Sequence, residues 1–227
     1  MLLFETQAVS KCYRPGSRGE VRAVHDVTLG VERRGITVLT GPSGSGKTTL
    51  LALLGALERP TLGRVIFDGK DLGGCSGVEL ARVRRRMGFV FQDFALIPNL
   101  TAGENITYPL IPRGVARPER LRRARELLSR FGMEDKLKVR PRDLSGGEQQ
   151  RVAIVRALAA EPEVVLADEP TSNLDPETSR TLLAFFREMH AQGKTVILSS
   201  HDPQMNALAT CVVVLQRGNA SAYSRSD

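Results

Sequence analysis

The residues best equipped for chemistry are Gly41-Pro42-Ser43-Gly44-Ser45-Gly46-Lys47-Thr48, which fit G-x-x-x-x-G-K-[ST]. Without side chains at Gly44 and Gly46, such a loop can wrap closely round a polyphosphate and aim backbone N–H groups at its oxygens. Lys47 would supply a cation to the β and γ phosphates, and the Thr48 hydroxyl a ligand to magnesium. A glycine-rich turn with an exposed lysine has the same composition, so context decides. Ile36-Thr37-Val38-Leu39-Thr40 reads as a buried strand and Lys47 to Leu57 as a helix. Strand, loop and helix therefore follow in the order that a phosphate-binding loop requires.

A second apolar run, Val164-Val165-Leu166-Ala167, ends at Asp168-Glu169. Alone, such a pair is an ordinary surface turn; downstream of a phosphate loop, Asp168 suits magnesium and Glu169 suits a base that deprotonates an attacking water. A third run, Thr195-Val196-Ile197-Leu198, ends at Ser199-Ser200-His201-Asp202. Polar residues thus lie just beyond the carboxyl ends of expected parallel strands, where open α/β sheets bind ligands. Leu144-Ser145-Gly146-Gly147-Glu148 forms another glycine-containing loop, leading into an expected helix through Leu158. It reads as a second anion cradle, and also as a helix start with Ser145 as N-cap and Glu148 in its first turn.

The elements that position these residues alternate between strand-like and helical stretches, the α/β pattern. Val21 to Leu29 and Arg64 to Phe67 read as strands, whereas Asp93 to Asp143 shows none. In that middle region Thr101-x-x-Glu104 is a capping box, and Leu121, Ala124, Leu127, Leu128 and Phe131 form a helical stripe ending at Gly132. The expected division is a core of residues 1–92 and 144–227 with a helical subdomain, 93–143, inserted between them. With 227 residues, 41% of them hydrophobic and 25% charged, the chain is neither a disordered tail nor a fibrous repeat. Cys12, Cys75 and Cys211 are odd in number and lack CxxC spacing, which suggests neither disulfides nor zinc. The longest apolar run, Leu50 to Leu57, is far short of the ~20 residues of a membrane span. The start, Met1-Leu2-Leu3-Phe4-Glu5, lacks the basic head of a secretory signal, so a cytoplasmic location is expected. Between Val78 and Asp143, 15 Arg and Lys stand against 8 Asp and Glu, so the net charge of +7 is localised there. That stretch is either a solvated arginine-rich face or a surface for phosphates or anionic lipid.

Together these motifs resemble those of ABC-type ATPases, the nucleotide-binding subunits of ATP-binding cassette transporters. Leu144 to Glu148 resembles the family signature, Gln92 falls at its Q-loop, Ser172-Asn173-Leu174-Asp175 resembles the D-loop, and His201 matches the switch histidine, all in family order. The resemblance covers Leu3 to about Leu215. It implies a P-loop NTPase (RecA-like) core with an antiparallel β subdomain and an inserted helical subdomain. It also implies ATP and Mg2+ as ligands. The nucleotide would contact residues 41–48, Thr49, Ser145, Gly146, Gly147, Glu148 and Asp175, with Tyr13 stacked on adenine. Magnesium would lie with Thr48, Gln92 and Asp168, while Glu169, His201 and Gln92 would serve hydrolysis. The family further implies a homodimer, each ATP held between one P-loop and the partner's LSGGE, docked on a membrane permease.

A finer resemblance, through Leu54 to Gly63, Phe89 to Gln92, Pro98 to Ala102 and Asp168 to Asp175, is to the lipoprotein-releasing, macrolide-exporting and cell-division group. Glu148 stands where glutamine is commoner, and Ser172 where many relatives have glycine. A regulatory ATPase that signals through a membrane partner fits the same residues. A nucleic-acid-associated ATPase fits less well, because Thr48 and Leu144 are not separated by a long coiled coil and the chain has one cassette. Phe94, Leu96, Ile97, Leu100 and Tyr108 are the expected lining of a groove for the permease.

Overall fold

The computed structural model describes residues 1–172 and 174–224. The chain opens with two long strands, β1 (Leu2–Tyr13) and β2 (Val21–Glu32), and then a short one, β3 (Ile36–Thr40). Helix α1 (Lys47–Leu54), strands β4 (Leu62–Phe67) and β5 (Lys70–Asp71), helix α2 (Gly77–Arg84) and strand β6 (Met87–Val90) follow. Next come α3 (Ala102–Thr107), a 3-10 turn at Tyr108–Arg113, α4 (Arg117–Ser129) and α5 (Gly146–Leu158). The last third alternates β7 (Val164–Asp168), α6 (Pro176–Ala191), β8 (Thr195–Ser199), α7 (Pro203–Leu208), β9 (Cys211–Gln216) and β10 (Asn219–Ser224). As the pattern implied, no strand lies among the described residues from Asp93 to Asp143.

Two sheets result. One is antiparallel, in the order β2-β1-β4-β5; the other has the order β10-β9-β3-β8-β7-β6, with the β9-β3-β8-β7-β6 run parallel throughout. Strands β7 and β8 are buried along their whole length, which is why they read as unbroken apolar runs rather than alternating ones. Their side chains still divide by the period of two. Val165, Ala167, Val196 and Leu198 join a core shared with α3, α4, α5 and α6, whereas Val164, Leu166 and Ile197 join a core shared with α1, α2 and the antiparallel sheet. The parallel sheet is thus the middle layer, covered by helices on one face and by the smaller sheet and α1 on the other.

Three expected boundaries move. The first helix stops at Leu54 rather than Leu57, because Gly55 caps it and Ala56 turns left-handed at φ 55°. A Cβ at Gly55 would sit 2.3 Å from the Phe89 ring, so close packing against β6 also demands glycine there. The strand expected from Arg64 begins at Leu62, where Ser10 of β1 pairs with it. The stripe ending at Gly132 leaves helix α4 at Ser129, and Phe131 is buried just beyond it.

Candidate active site

The P-loop is fixed from behind by backbone contacts that only glycine permits. Gly41 (φ +143°) and Gly46 (φ +104°) lie so close to the Leu215 and Ala23 carbonyls that an added Cβ would be 2.1 Å and 2.2 Å from them. Gly44 also has positive φ, at +75°, but open space around it. Gly218 N–H donates to the Ser45 carbonyl at 3.1 Å, tying the β9–β10 turn to the loop. Lys47 is buried and its Nζ donates to the carbonyls of Gly41 (2.8 Å) and Pro42 (3.2 Å), so the ammonium spans its own loop. Thr48 is exposed and Thr49 half-buried on the first turn of α1; Pro42 and Ser43 are exposed. The Ser45 hydroxyl is buried with no hydrogen-bond partner among the described residues, an orphan that a phosphate oxygen would satisfy.

Opposite the loop, register brings the acidic pair to the edge. Asp168 ends β7 directly across from Ser199 at the end of β8, which in turn pairs with Leu39 of β3. Ser199 Oγ donates to Asp168 Oδ1 and accepts from the Glu169 N–H at 3.0 Å. One fully buried hydroxyl therefore holds both carboxylate residues in place. Glu169 adopts φ 45°, left-handed and unusual for a non-glycine, and its carboxylate lies 3.9 Å from Lys47 Nζ. His201 Nδ1 is 3.0 Å from Glu169 Oε2, and because a carboxylate only accepts, Nδ1 carries the hydrogen and Nε2 faces other partners. Gln92 is exposed two residues past β6, whose Val90 pairs with Ala167, so it stands at the same carboxyl edge.

The donors suit magnesium. Thr48, Asp168 and Gln92 offer hydroxyl, carboxylate and amide oxygen, hard ligands for an ion that takes one or two carboxylates and keeps several waters.

The second glycine loop is a capped helix start. Ser145 Oγ accepts from the Glu148 N–H, and Glu148 accepts from the Ser145 N–H at 2.8 Å and from Lys136 at 3.1 Å. Those bonds, the Ser145 N–H first, hold the Glu148 carboxyl below the usual range. Ser145 and Gly146 are exposed and Gly147 half-buried, leaving the amino end of α5 open. Asp175 is committed to structure: it caps α6, accepting from the N–H groups of Glu177 and Thr178 and from the Thr178 hydroxyl at 2.6 Å. Asn173 of the same loop lies outside the described residues. Tyr13 ends β1 paired with Val21, two residues before the Ala23 carbonyl that backs Gly46, and Lys11 Nζ sits 5.0 Å from its ring centroid.

Sequence reasoning missed Ser199 as the bracket of the acidic pair, and also Gln150 and Arg151. Gln150 is fully buried in α5 and donates to the Pro170 carbonyl at 3.1 Å, joining the signature helix to the segment after Glu169. Arg151 donates to the Thr178 hydroxyl at 2.8 Å and lies 3.6 Å from Asp175. Their positions in the signature helix were visible; their partners, some 20 or more residues on, were not.

The five expected groove residues do not line one cavity. Leu96 packs into the helical core, and the Ile97 backbone is held by Asn105, whose Oδ1 accepts from its N–H at 2.7 Å, so this turn folds onto α3 instead of lining the groove of about 450 Å3 between α2, β6, the Tyr108–Arg113 turn and the end of α5. Phe94 too is outside the groove lining, and Leu100 lines a smaller cavity with Tyr108; of the five, only Tyr108 reaches the larger groove.

A strand-ended lysine loop, two strand-end carboxylates and a histidine on one of them define a P-loop ATPase cassette. The family model for ABC transporters matches residues 24–172, and the chain belongs to that family as an ATP-binding and ATP-hydrolysing cassette. An ABC transporter ATP-binding protein of Thermotoga maritima is 46% identical over 91% of this chain and 88% of its own length. The macrolide export ATP-binding/permease protein MacB 2 of Aeromonas hydrophila is 41% identical over 98% of this chain, which spans only 34% of that protein. The dimeric post-hydrolysis structure of the ATP-binding cassette MJ0796 bound to ADP and Pi matches with a TM-score of 0.94 and 36% identity, over 99% of this chain and 100% of that one. The antiparallel sheet, parallel core and inserted helices are thus those of an ABC cassette. No helix among the described residues is long and apolar enough to cross a membrane.

Proposed function

We propose that two copies of this chain close head to tail on ATP and Mg2+ and drive a separate membrane permease at the inner face of the membrane. The carrying observation is the cluster of Lys47, Glu169 and His201 within 3.9 Å links at the carboxyl edge of the parallel sheet. Lys47 leaves its loop carbonyls for the β and γ phosphates, N–H groups of residues 41–48 cradle the oxygens, and Ser45 Oγ donates into the same cradle. Thr48, Asp168 and Gln92 would hold magnesium, which would supply positive charge against the phosphates. Glu169 Oε takes a proton from the attacking water, while His201 Nδ1–H orients that carboxylate and Nε2 reaches the γ-phosphate. Tyr13 stacks on adenine, and Ser145, Gly146, Gly147 and Glu148 of the partner present the amino end of α5 to the γ-phosphate. The dimeric MJ0796 cassette supports this pairing.

Fusion of a similar cassette to a permease in the Aeromonas macrolide export protein supports a membrane partner, and the work we propose is export of lipoprotein, lipid or drug. Its docking place is a cavity of about 450 Å3 between α2, β6, the Tyr108–Arg113 turn and the end of α5, floored by Phe89, Phe91 and Ala157. Part of the basic excess is neutralised by acids outside the segment, Arg86 by Asp68 and Glu163, Arg123 by Glu161, Arg130 by Glu188 and Lys136 by Glu148, which speaks against a nucleic-acid footprint. The test is Glu169→Gln. ATP affinity should stay while hydrolysis falls by about two or more orders of magnitude, and light scattering should find dimers with ATP and magnesium. A variant that hydrolysed normally and stayed monomeric would remove this reading.

A further inference from the structure

The apolar groove has an uncompensated charge. Arg84, Arg85, Arg113 and Arg156 contribute to its lining, and among the described residues no carboxylate does. Neighbouring arginines find acids; Arg86, next in the chain, pairs with Asp68 and Glu163 at 2.7 Å. Among the described residues, the Arg84, Arg113 and Arg156 side chains of the groove bond to backbone carbonyls and to no acid. Arg84 donates to Ala56 at 2.9 Å, Arg113 to Ala160 at 2.7 Å and to Arg85, and Arg156 to Phe94 at 2.8 Å and to Ala95. Carbonyls satisfy the N–H groups but cancel no net charge. Burial pushes the Arg156 guanidinium below its ordinary pKa, and Asp93, which does not line the groove, is the acid whose charge reaches it. An incoming carboxylate would offset that desolvation.

Arg156 also holds a sensitive piece of backbone. Phe94 (φ 63°) and Ala95 (φ 45°) are left-handed non-glycine residues two and three positions after Gln92, and the Arg156 guanidinium clamps both carbonyls. A group that engages Arg156 from the groove therefore touches the turn next to Gln92. A lipid surface is the poorer occupant, because Arg156 is half-buried within a concave, apolar-floored cavity.

We propose that this groove selects a helical segment of the membrane partner that carries a carboxylate beside its apolar face, the carboxylate meeting Arg85, Arg113 and Arg156. This rests on the permease reading above and adds the charge of the partner's docking segment. The probe is a pair of synthetic amphipathic helical peptides sharing one apolar face and differing only in Glu or Lys beside it, titrated by NMR into the isotopically labelled full chain. The Glu peptide should shift the resonances of Phe89, Phe91 and Tyr108 and bind at least about fivefold tighter than the Lys peptide, with the gap closing as salt rises. Arg85 is exposed, so Arg85→Glu should keep basal ATP hydrolysis, which reports its folding, and invert the preference. Equal binding of both peptides in the groove would overturn charge selection and leave the docking reading standing. If neither peptide perturbed the groove while phosphatidylglycerol vesicles bound through Arg85, the permease docking reading would fall with it, in favour of a lipid contact.

Discussion

Lys47 and Glu169 face each other across 3.9 Å, both largely buried, as an ion pair at the mouth of the phosphate loop. Removing the lysine leaves the phosphates without their closest cation and Glu169 with only His201 beside it. Lys47→Ala should weaken ATP and magnesium binding at least tenfold, from charged hydrogen bonds worth about 1.5–3 kcal/mol, as read by nucleotide titration; unchanged affinity would mean that the phosphates bind elsewhere. Lys47 was legible in the sequence because it closes a glycine loop between a strand and a helix, and Asp168 and Glu169 because they end an apolar run. Ser199 was not, since a serine after a strand is common, and its role comes from the β7–β8 register that sets Asp168 opposite it. The lining of the groove was misread for a related reason. Apolar residues between Phe94 and Leu100 break helical periodicity, and nothing in their order says that Asn105, fully buried, folds their backbone onto α3 through bonds to Ile97, Leu100 and Thr101.

At the scale of elements, the P-loop is a strained connection whose shape is set by what lies behind it. Gly44→Ala meets only a φ of +75°, whereas Gly46→Ala meets a φ of +104° and a carbonyl 2.2 Å away. The first should cost about 1–2 kcal/mol of unfolding stability and the second clearly more, measured by denaturant midpoints; equal costs would mean that the Ala23 contact relaxes freely. Parallel strands were readable because both faces are buried, and two helix starts because Thr101 and Ser145 each begin a full capping box; Ser76 begins a third that the sequence reading passed over. Helix ends were less so: α1 stops where Ala56 turns left-handed, and Gly55 at its cap is required by the close approach of Phe89, a partner far along the chain. The boxes carry a pH signature. Backbone N–H groups of Thr101 and Ser145, the first cause in each case, hold the Glu104 and Glu148 carboxyls below their ordinary range. A depressed folded pKa gives stability that is present above the unfolded value of about 4.3 and is lost as pH falls through the folded value. Glu148→Gln should therefore lower urea stability at pH 7 by at most about 0.5 kcal/mol after solvent screening, and the difference from the parent should vanish towards pH 3. A difference that grew on acidification would reverse the assignment.

For the whole molecule, the proposed head-to-tail pairing makes the open amino end of α5 and the phosphate loop one site only when a second chain supplies the missing half. A two-fold interface makes each site from the P-loop of one copy and the signature of the other, so damage to each half can be separated genetically. Ser145→Arg puts bulk on an exposed N-cap and should bind ATP as a monomer yet fail to dimerise or hydrolyse it. Lys47→Ala should fail at binding. In a mixture of the two variants, the mixed dimer joins the intact P-loop of the Ser145→Arg chain to the intact signature of the Lys47→Ala chain, while its other site is doubly damaged. Half the dimers would then hold one working site, and hydrolysis should recover towards roughly a quarter of the parent's rate. Phosphate release measured on each variant alone and on the mixture decides it. A mixture no more active than its components, or a Ser145→Arg chain that hydrolyses ATP unaided at the parental rate, would place the whole site within one copy and end the head-to-tail account.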